Sequence, residues 1–186
     1  SSLVTGVQTC ALPISQSIGE RLANDTVAAS VNDILVDAMF PIHESSTLVL
    51  HTGTSKIGHE VLLHSAAHLM AQAVKKFWPS SQMTIGPVVD NRFYYDFDID
   101  GTFSDDDLKM IEDEMRAIAK ENYNVSRREL TKKEAVKIFS DLNENYKVEI
   151  INEIDESDKI SAYQQGNFID LCRGPHIPST GRLKYF

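Results

Sequence analysis

Cysteine is scarce in this chain: 186 residues hold two, Cys10 and Cys172. So few thiols exclude a secreted disulfide scaffold and fit a reducing compartment. Long hydrophobic runs are missing as well. No stretch approaches the ~20 apolar residues that a membrane-crossing helix needs, and the opening residues lack the basic start and continuous apolar core of a secretory signal. The expected location is the cytoplasm. Positive charge is in deficit, with 18 Lys and Arg against 27 Asp and Glu, a net charge of −9. A protein that grips nucleic acid through phosphates alone carries a basic surface. If this chain acts on RNA, it needs local basic patches or a further part of a larger protein to hold the substrate. No internal repeat and no low-complexity tract interrupts the chain.

A hydrophobic content of 42% and a charged content of 24% are those of a globular chain. Its length allows one ordinary domain, or one domain and a small companion, with a core that needs no disulfides. Residues 1–13 differ in character from the remainder of the chain and resemble a translated sequencing adapter, so they are set aside as a non-native leader. From Ser15 the pattern is orderly. Ser17 to Ala23 has helical spacing, Val27–Val31 and Ile34–Ala38 form a hairpin around Asn32-Asp33, and Ser46–Leu50 is a further strand. Helix and short strands in this order predict a small β-grasp unit without its first hairpin, over residues 14–52.

Residues 53–186 predict a second unit. Lys56 to Phe77 is the longest helical pattern, stopped by Trp78-Pro79. Met83–Val89 and Phe93–Asp98 read as an antiparallel pair turning at Asp90-Asn91. In it Phe93, Tyr95 and Phe97 share one face. Ser104 caps a helix to about Glu121, Tyr123–Leu130 is a strand, and Thr131 opens a helix to Leu142. Tyr146–Ile151 alternates like a strand, with Lys147 near its start. Ser161–Gln165 and Asn167–Leu171 pair around Gly166 and deliver Cys172 and His176 into a loop stiffened by Pro175 and Pro178. The expected class is α+β, with a mainly antiparallel sheet packed on the long helix.

Chemistry concentrates in two short stretches, His64-Ser65-Ala66-Ala67-His68 and Cys172-Arg173-Gly174-Pro175-His176. Histidines four apart on a helix share a face. Alone, such a pair is often two hydrogen-bonded core residues. A zinc-protease reading fails on geometry, since His59-Glu60 is followed by His64, five positions on and on a different face. With Cys172 and His176 added, three imidazoles and a thiol have the composition of a four-ligand zinc site. They can equally move protons near neutral pH, or Cys172 can be a small buried hydrophobe. Lys147 and Asp170 are further candidates if the sheet brings them close.

Taken with Ile85-Gly86-Pro87-Val88-Val89-Asp90-Asn91, Phe93-Tyr94-Tyr95-Asp96, Tyr146-Lys147-Val148 and Asp170-Leu171, these stretches resemble the N-terminal editing region of bacterial threonine–tRNA ligases. Ser17 to Leu50 resembles the tail of that family's ubiquitin-like TGS domain. The resemblance runs from about Ile14 to Phe186 and departs in three places. The opening TGS hairpin is absent, Arg92 stands where the family more often has glycine, and the chain stops before the class II aminoacylation domain would begin.

The resemblance implies proofreading: hydrolysis of serine mischarged onto tRNA(Thr). A missing methyl is worth only about 1–3 kcal/mol of discrimination, so a synthetic site charges some serine that a second site must remove. It implies that His64 and Lys147 position and activate water or protonate the leaving ribose oxygen. His68, Cys172 and His176 would shape the pocket and hold the acceptor end. Asp170 would bind the seryl ammonium or hydroxyl, with Tyr95, Gly86, Pro87 and Arg173 also toward substrate. No metal is expected to be required; if zinc binds, His64, His68, Cys172 and His176 are its ligands. ATP, magnesium and a catalytic zinc belong to the ligase domain outside this chain. The implied partners are the tRNA(Thr) acceptor end carrying serine and the remaining domains of a homodimeric parent ligase, with no membrane. Competing readings are a non-catalytic module for the tRNA end, an inactive fragment, and a free-standing zinc-dependent deacylase. Acceptor-stem affinity without turnover, a melt lacking a cooperative transition, and chelator-sensitive hydrolysis with bound zinc would select among them.

Overall fold

The computed structural model describes residues 2–4 and 9–184. The elements run in chain order as β1 (Ser2–Val4), α1 (Ala11–Ile18), α2 (Glu20–Asp25), β2 (Thr26–Val31), β3 (Ile34–Asp37), β4 (Ser46–Thr52) and α3 (Lys56–Phe77). Next come β5 (Gln82–Met83), β6 (Val88–Val89), β7 (Arg92–Phe93), β8 (Phe97–Asp98), α4 (Asp105–Glu121) and β9 (Val125–Leu130). The last are α5 (Lys132–Asp141), α6 (Asn145–Glu153), β10 (Ile160–Gln165), β11 (Phe168–Leu171) and a 3-10 turn at Thr180–Arg182. The class is α+β, built from small antiparallel sheets.

One sheet has the order β1-β4-β2-β3 and another the order β11-β10-β9, both antiparallel. The β2–β3 turn places Asn32 and Asp33 at φ 49° and 66°, the left-handed geometry that a two-residue hairpin demands and that Asn and Asp tolerate. Helix α3 packs on the first sheet and on α4. Its Val61, Leu69, Ala73 and Val74 share a core with Val27 and Ala28 of β2 and with Ile111, Met115 and Ile118 of α4. Ser55 caps it, accepting from Gly58 N. A second core packs Phe139 of α5 and Ile151 of α6 against Leu130, Ile160 and Ala162 of the β9–β10 pair.

Within the stretch set aside as a leader, Ser2–Val4 pairs with Ser46–Leu48 of β4, and Ala11 is 1% exposed against Ala29, Ile42 and Leu48. Ser1 and residues 5–8 lie outside the described residues. Two expectations need correction. The single helix expected from Ser17 to Ala23 is two helices that begin earlier and break at Gly19.

The second correction bears on the site: Tyr146–Ile151 is not a strand but most of α6. Its β-branched residues and its alternation of Tyr146, Val148 and Ile150 with Lys147 and Glu149 imitate a strand. The buried pair is instead Lys147 and Ile151, four apart and on one helical face. Packing against α5 and the β9–β10 sheet overrides the local preference. The Met83–Val89 and Phe93–Asp98 pair forms, but only as two short ladders, β5 with β8 and β6 with β7. Between them Pro87 has no N–H to give a ladder, and its carbonyl accepts from Tyr94 N at 3.4 Å.

Candidate active site

Four elements converge on one point. Helix α3 supplies His64 and His68, the loop after β11 supplies Cys172 and His176, β11 supplies Asp170, and α6 supplies Lys147. Cys172 Sγ lies 3.3 Å from His64 Nε2 and 3.2 Å from His176 Nε2. Ligand atoms of His64, His68, Cys172 and His176 all fall within 4.8 Å of one another. His176 is buried, and its Nδ1 lies 3.0 Å from Ser65 Oγ. That hydroxyl gives its proton to the Val61 carbonyl at 2.8 Å. It must therefore accept from Nδ1–H, which leaves the Nε2 lone pair of His176 facing Cys172.

Opposite this cluster stands a second network. Lys147 Nζ is 2.8 Å from Asp170 Oδ1 and donates to Tyr95 Oη at 2.9 Å and to the Thr84 carbonyl at 2.5 Å. All three of its N–H donors are engaged. Tyr95 donates to Asp170 Oδ2 at 2.5 Å, and Leu171 N donates to Asp170 Oδ1 at 2.8 Å. His68 Nδ1 stands 3.6 Å from Asp170 Oδ2 and links the two networks. Gly86 is required beside Tyr95, because a Cβ there would come within 2.4 Å of the ring.

Electrostatics follow from burial. Desolvation pulls His64 below its ordinary value, opposed by the Asp170 carboxylate and the Pro175 carbonyl. His68 and His176 are held well below theirs by burial and by neighbouring cations or imidazoles. The imidazoles are therefore neutral at pH 7. Burial pushes the Cys172 thiol up to about 12, with Asp170 and Asp37 adding to the effect, so it stays S–H. It is not a nucleophile at neutral pH. Burial and Asp170 likewise raise the Tyr95 hydroxyl, which remains a donor.

His64, His68, Thr84, Gly86, Pro87, Tyr95, Lys147 and Cys172 line a recess of about 200 Å³. Arg173 lines a neighbouring groove that shares Lys147 and Cys172 with it. Asp170, expected to meet substrate directly, is wholly buried (0% exposed) with both oxygens engaged by the protein. It stands behind Lys147 and Tyr95. His176 also stands behind the lining. Three participants escaped the sequence reading: Ser65, Tyr163 and Asp37. Ser65 lies inside the HxxxH stretch, and its position between the histidines was the available signal. Asp37 sits in β3 of the first sheet, remote in sequence, and nothing in its neighbourhood marks it.

The donor set fits a divalent ion. The Nε2 lone pair of His176 points inward, and Ser65 and Asp170 sit behind His176 and His68 as outer partners do behind metal-bound histidines. Three nitrogens and one sulfur match the composition of tetrahedral zinc sites.

A helix-borne histidine pair thus faces a Cys-x-x-x-His loop on an α+β frame. Residues 160–186, which include that loop, match the family described as "Threonyl and Alanyl tRNA synthetase second additional domain". More particularly, the chain is similar to threonine–tRNA ligases over nearly its whole length. It is 48% identical to that of Coxiella burnetii and 47% identical to that of Legionella pneumophila subsp. pneumophila, in each case over 173 residues and 93% of this chain. The threonine–tRNA ligase of Magnetococcus marinus is 49% identical over the same share. The chain spans 27% of the length of these relatives.

Proposed function

We propose that this chain carries the proofreading site of a threonine–tRNA ligase and hydrolyses the ester between serine and the terminal ribose of tRNA(Thr). One observation carries the reading: neutral His64 and cationic Lys147 line one small recess, beside a hydroxyl and a thiol that both keep their protons. Ester hydrolysis needs an activated water, a stabilised oxyanion and a proton for the leaving oxygen. His64, less buried than His68 and His176, takes the proton of the attacking water. Lys147 stabilises the developing oxyanion and protonates the leaving ribose oxygen, exchanging the Thr84 carbonyl for substrate. Asp170 and Tyr95 hold Lys147 in place, and this positioning replaces the direct contact expected of Asp170. His68 and Cys172 shape the floor and hold the acceptor end, with His176 behind them and Gly86, Pro87 and Arg173 at the rim. A recess well below the usual volume of a ligand pocket suits a small acyl group, and the threonyl methyl is excluded by space.

His64, His68, Cys172 and His176 would hold zinc if it binds, and zinc there would polarise the ester carbonyl. Hydrolysis by the residues named above requires no metal. Retained activity after chelation supports that reading; tightly held stoichiometric zinc whose removal abolishes activity overturns it.

Residues 14–52 are the remnant of a TGS-type β-grasp unit and 53–186 the editing unit, with residues 1–13 a non-native leader. The parent enzyme joins threonine to tRNA(Thr) with ATP, magnesium and a catalytic zinc in a further, class II domain, as a cytoplasmic homodimer. Among the described residues, no helix is long and apolar enough to cross a membrane. A second reading, a module that binds the acceptor end without turnover, draws on the full engagement of the Lys147 donors. The deciding experiment is serine release from seryl-tRNA(Thr) with threonyl-tRNA(Thr) alongside. Serine release with threonine spared supports proofreading. Binding without release favours the second reading.

A further inference from the structure

Between Cys172 and His176 the active-site loop passes close to the first sheet. Asp37, the last residue of β3, accepts the His176 backbone N–H at Oδ1 (2.8 Å) and the Tyr163 hydroxyl at Oδ2 (2.8 Å). Tyr163 is 3% exposed on β10, and its ring lies 4.5 Å from that of His176. The same hydroxyl fills the space over Gly174, where an added Cβ would come within 1.9 Å of it. Gly174 has φ +74°, so the loop takes a path that a side chain would obstruct. Asp37 thus holds both the His176 backbone and the Tyr163 hydroxyl beside this turn, and it reaches them from the other sheet.

We propose that Asp37 is a positioning residue for the Cys172–His176 loop, which makes the first sheet a working part of the hydrolytic site. One carboxylate bridges a backbone N–H and a phenol, and both bonds are charge-assisted and therefore strong. Each oxygen locates one atom group. The His176 N–H fixes the backbone that carries the imidazole, and Tyr163 fixes the wall against which that imidazole stacks. With Ser65 orienting the ring from α3, His176 is held at its backbone, its face and its Nδ1 by three separate elements. Loss of Asp37 leaves the ring attached to Ser65 while its backbone drifts, which shifts Cys172 Sγ and the floor of the recess.

The kinetic part rests on the proofreading reading above; the structural part does not. In the full chain, Asp37→Ala is compared with Asp37→Asn, Tyr163→Phe and the double variant Asp37→Ala/Tyr163→Phe. The His176 amide resonance, followed by NMR, reports the hydrogen bond directly. It is expected to move upfield in Asp37→Ala and to stay near its wild-type position in Asp37→Asn, which keeps an acceptor oxygen. For seryl-tRNA(Thr), Asp37→Ala is expected to raise KM about tenfold or more while kcat changes little, and Asp37→Asn to recover most of the loss. A merely destabilised protein would instead lose active fraction, lowering kcat at constant KM. The double variant should be no worse than Asp37→Ala, because the two residues act through one bond. An unmoved His176 amide in Asp37→Ala overturns the proposal, as does a displaced amide with wild-type KM. If the wild-type chain releases no serine, the proofreading reading fails, and the amide resonance alone decides whether Asp37 sets the loop.

Discussion

Lys147 Nζ and Asp170 Oδ1 meet at 2.8 Å in the interior, with side chains 3% and 0% exposed, one on the first turn of α6 and the other on β11. Neither charge reaches bulk water, so each depends on the other and on the Tyr95 hydroxyl between them. Burying two charges is repaid only when the geometry is good and the remaining donors and acceptors are used. Here they are.

Removing one partner of this pair therefore costs more than the pair contributes. Lys147→Met should destabilise the fold by about 3–5 kcal/mol, because Asp170 is left as an uncompensated buried charge. Adding Asp170→Asn should return part of that loss, and urea midpoints at pH 7.5 would show it. Deacylation should be lost in both variants.

Gly86→Ala tests the contact between the β5–β6 segment and Tyr95. The new methyl would sit 2.4 Å from the Tyr95 ring unless something moves. Overpacking of this kind costs about 1–3 kcal/mol. Tyr95 would be pushed off Lys147 and Asp170, so serine release should fall further than stability does. A Gly86→Ala protein with wild-type kinetics would mean that Tyr95 does not hold the network.

The buried imidazoles give stability a pH dependence of definite sign. His68 and His176 are held well below 6.5 in the folded state, while unfolded histidines protonate near 6.5. In that window the unfolded chain binds more protons, so stability is full above about pH 6.5 and falls as pH drops toward the folded values. Urea midpoints measured with chelator present, from pH 7.5 down to 5.5, should decline. The slope should flatten in a His68→Gln/His176→Gln protein.

Cys172 should react slowly with alkylating agents near neutral pH. In a Cys10→Ser background the rate with iodoacetamide should climb with pH toward the thiol value of about 12 and show no plateau near pH 8. Rapid modification at pH 7 would mean that the thiol is already ionised, as metal or a closer cation would make it.

Much of this protein was legible in its sequence because the signals are local. The caps at Ser104 and Thr131, the Asn32-Asp33 turn and the helical spacing of His64 and His68 depend on residues within a turn or two of one another. The Cys172–His176 loop and the strands that precede it were legible for the same reason. Chain chemistry alone also determined that few thiols, an acidic balance and no membrane-length apolar run accompany this cluster.

Tertiary structure decided the rest. Tyr146–Ile151 has the composition of a strand, and only its packing on α5 and the β9–β10 sheet makes it a helix with Lys147 inward. Asp170 looks like a substrate ligand until its burial shows both oxygens taken by the protein. Asp37 has no sequence mark because its partners, His176 and Tyr163, lie far along the chain. Local preference is set by a few neighbouring residues. The placement of a buried charge depends on which distant groups arrive to pair with it, and that is known only once the core has formed.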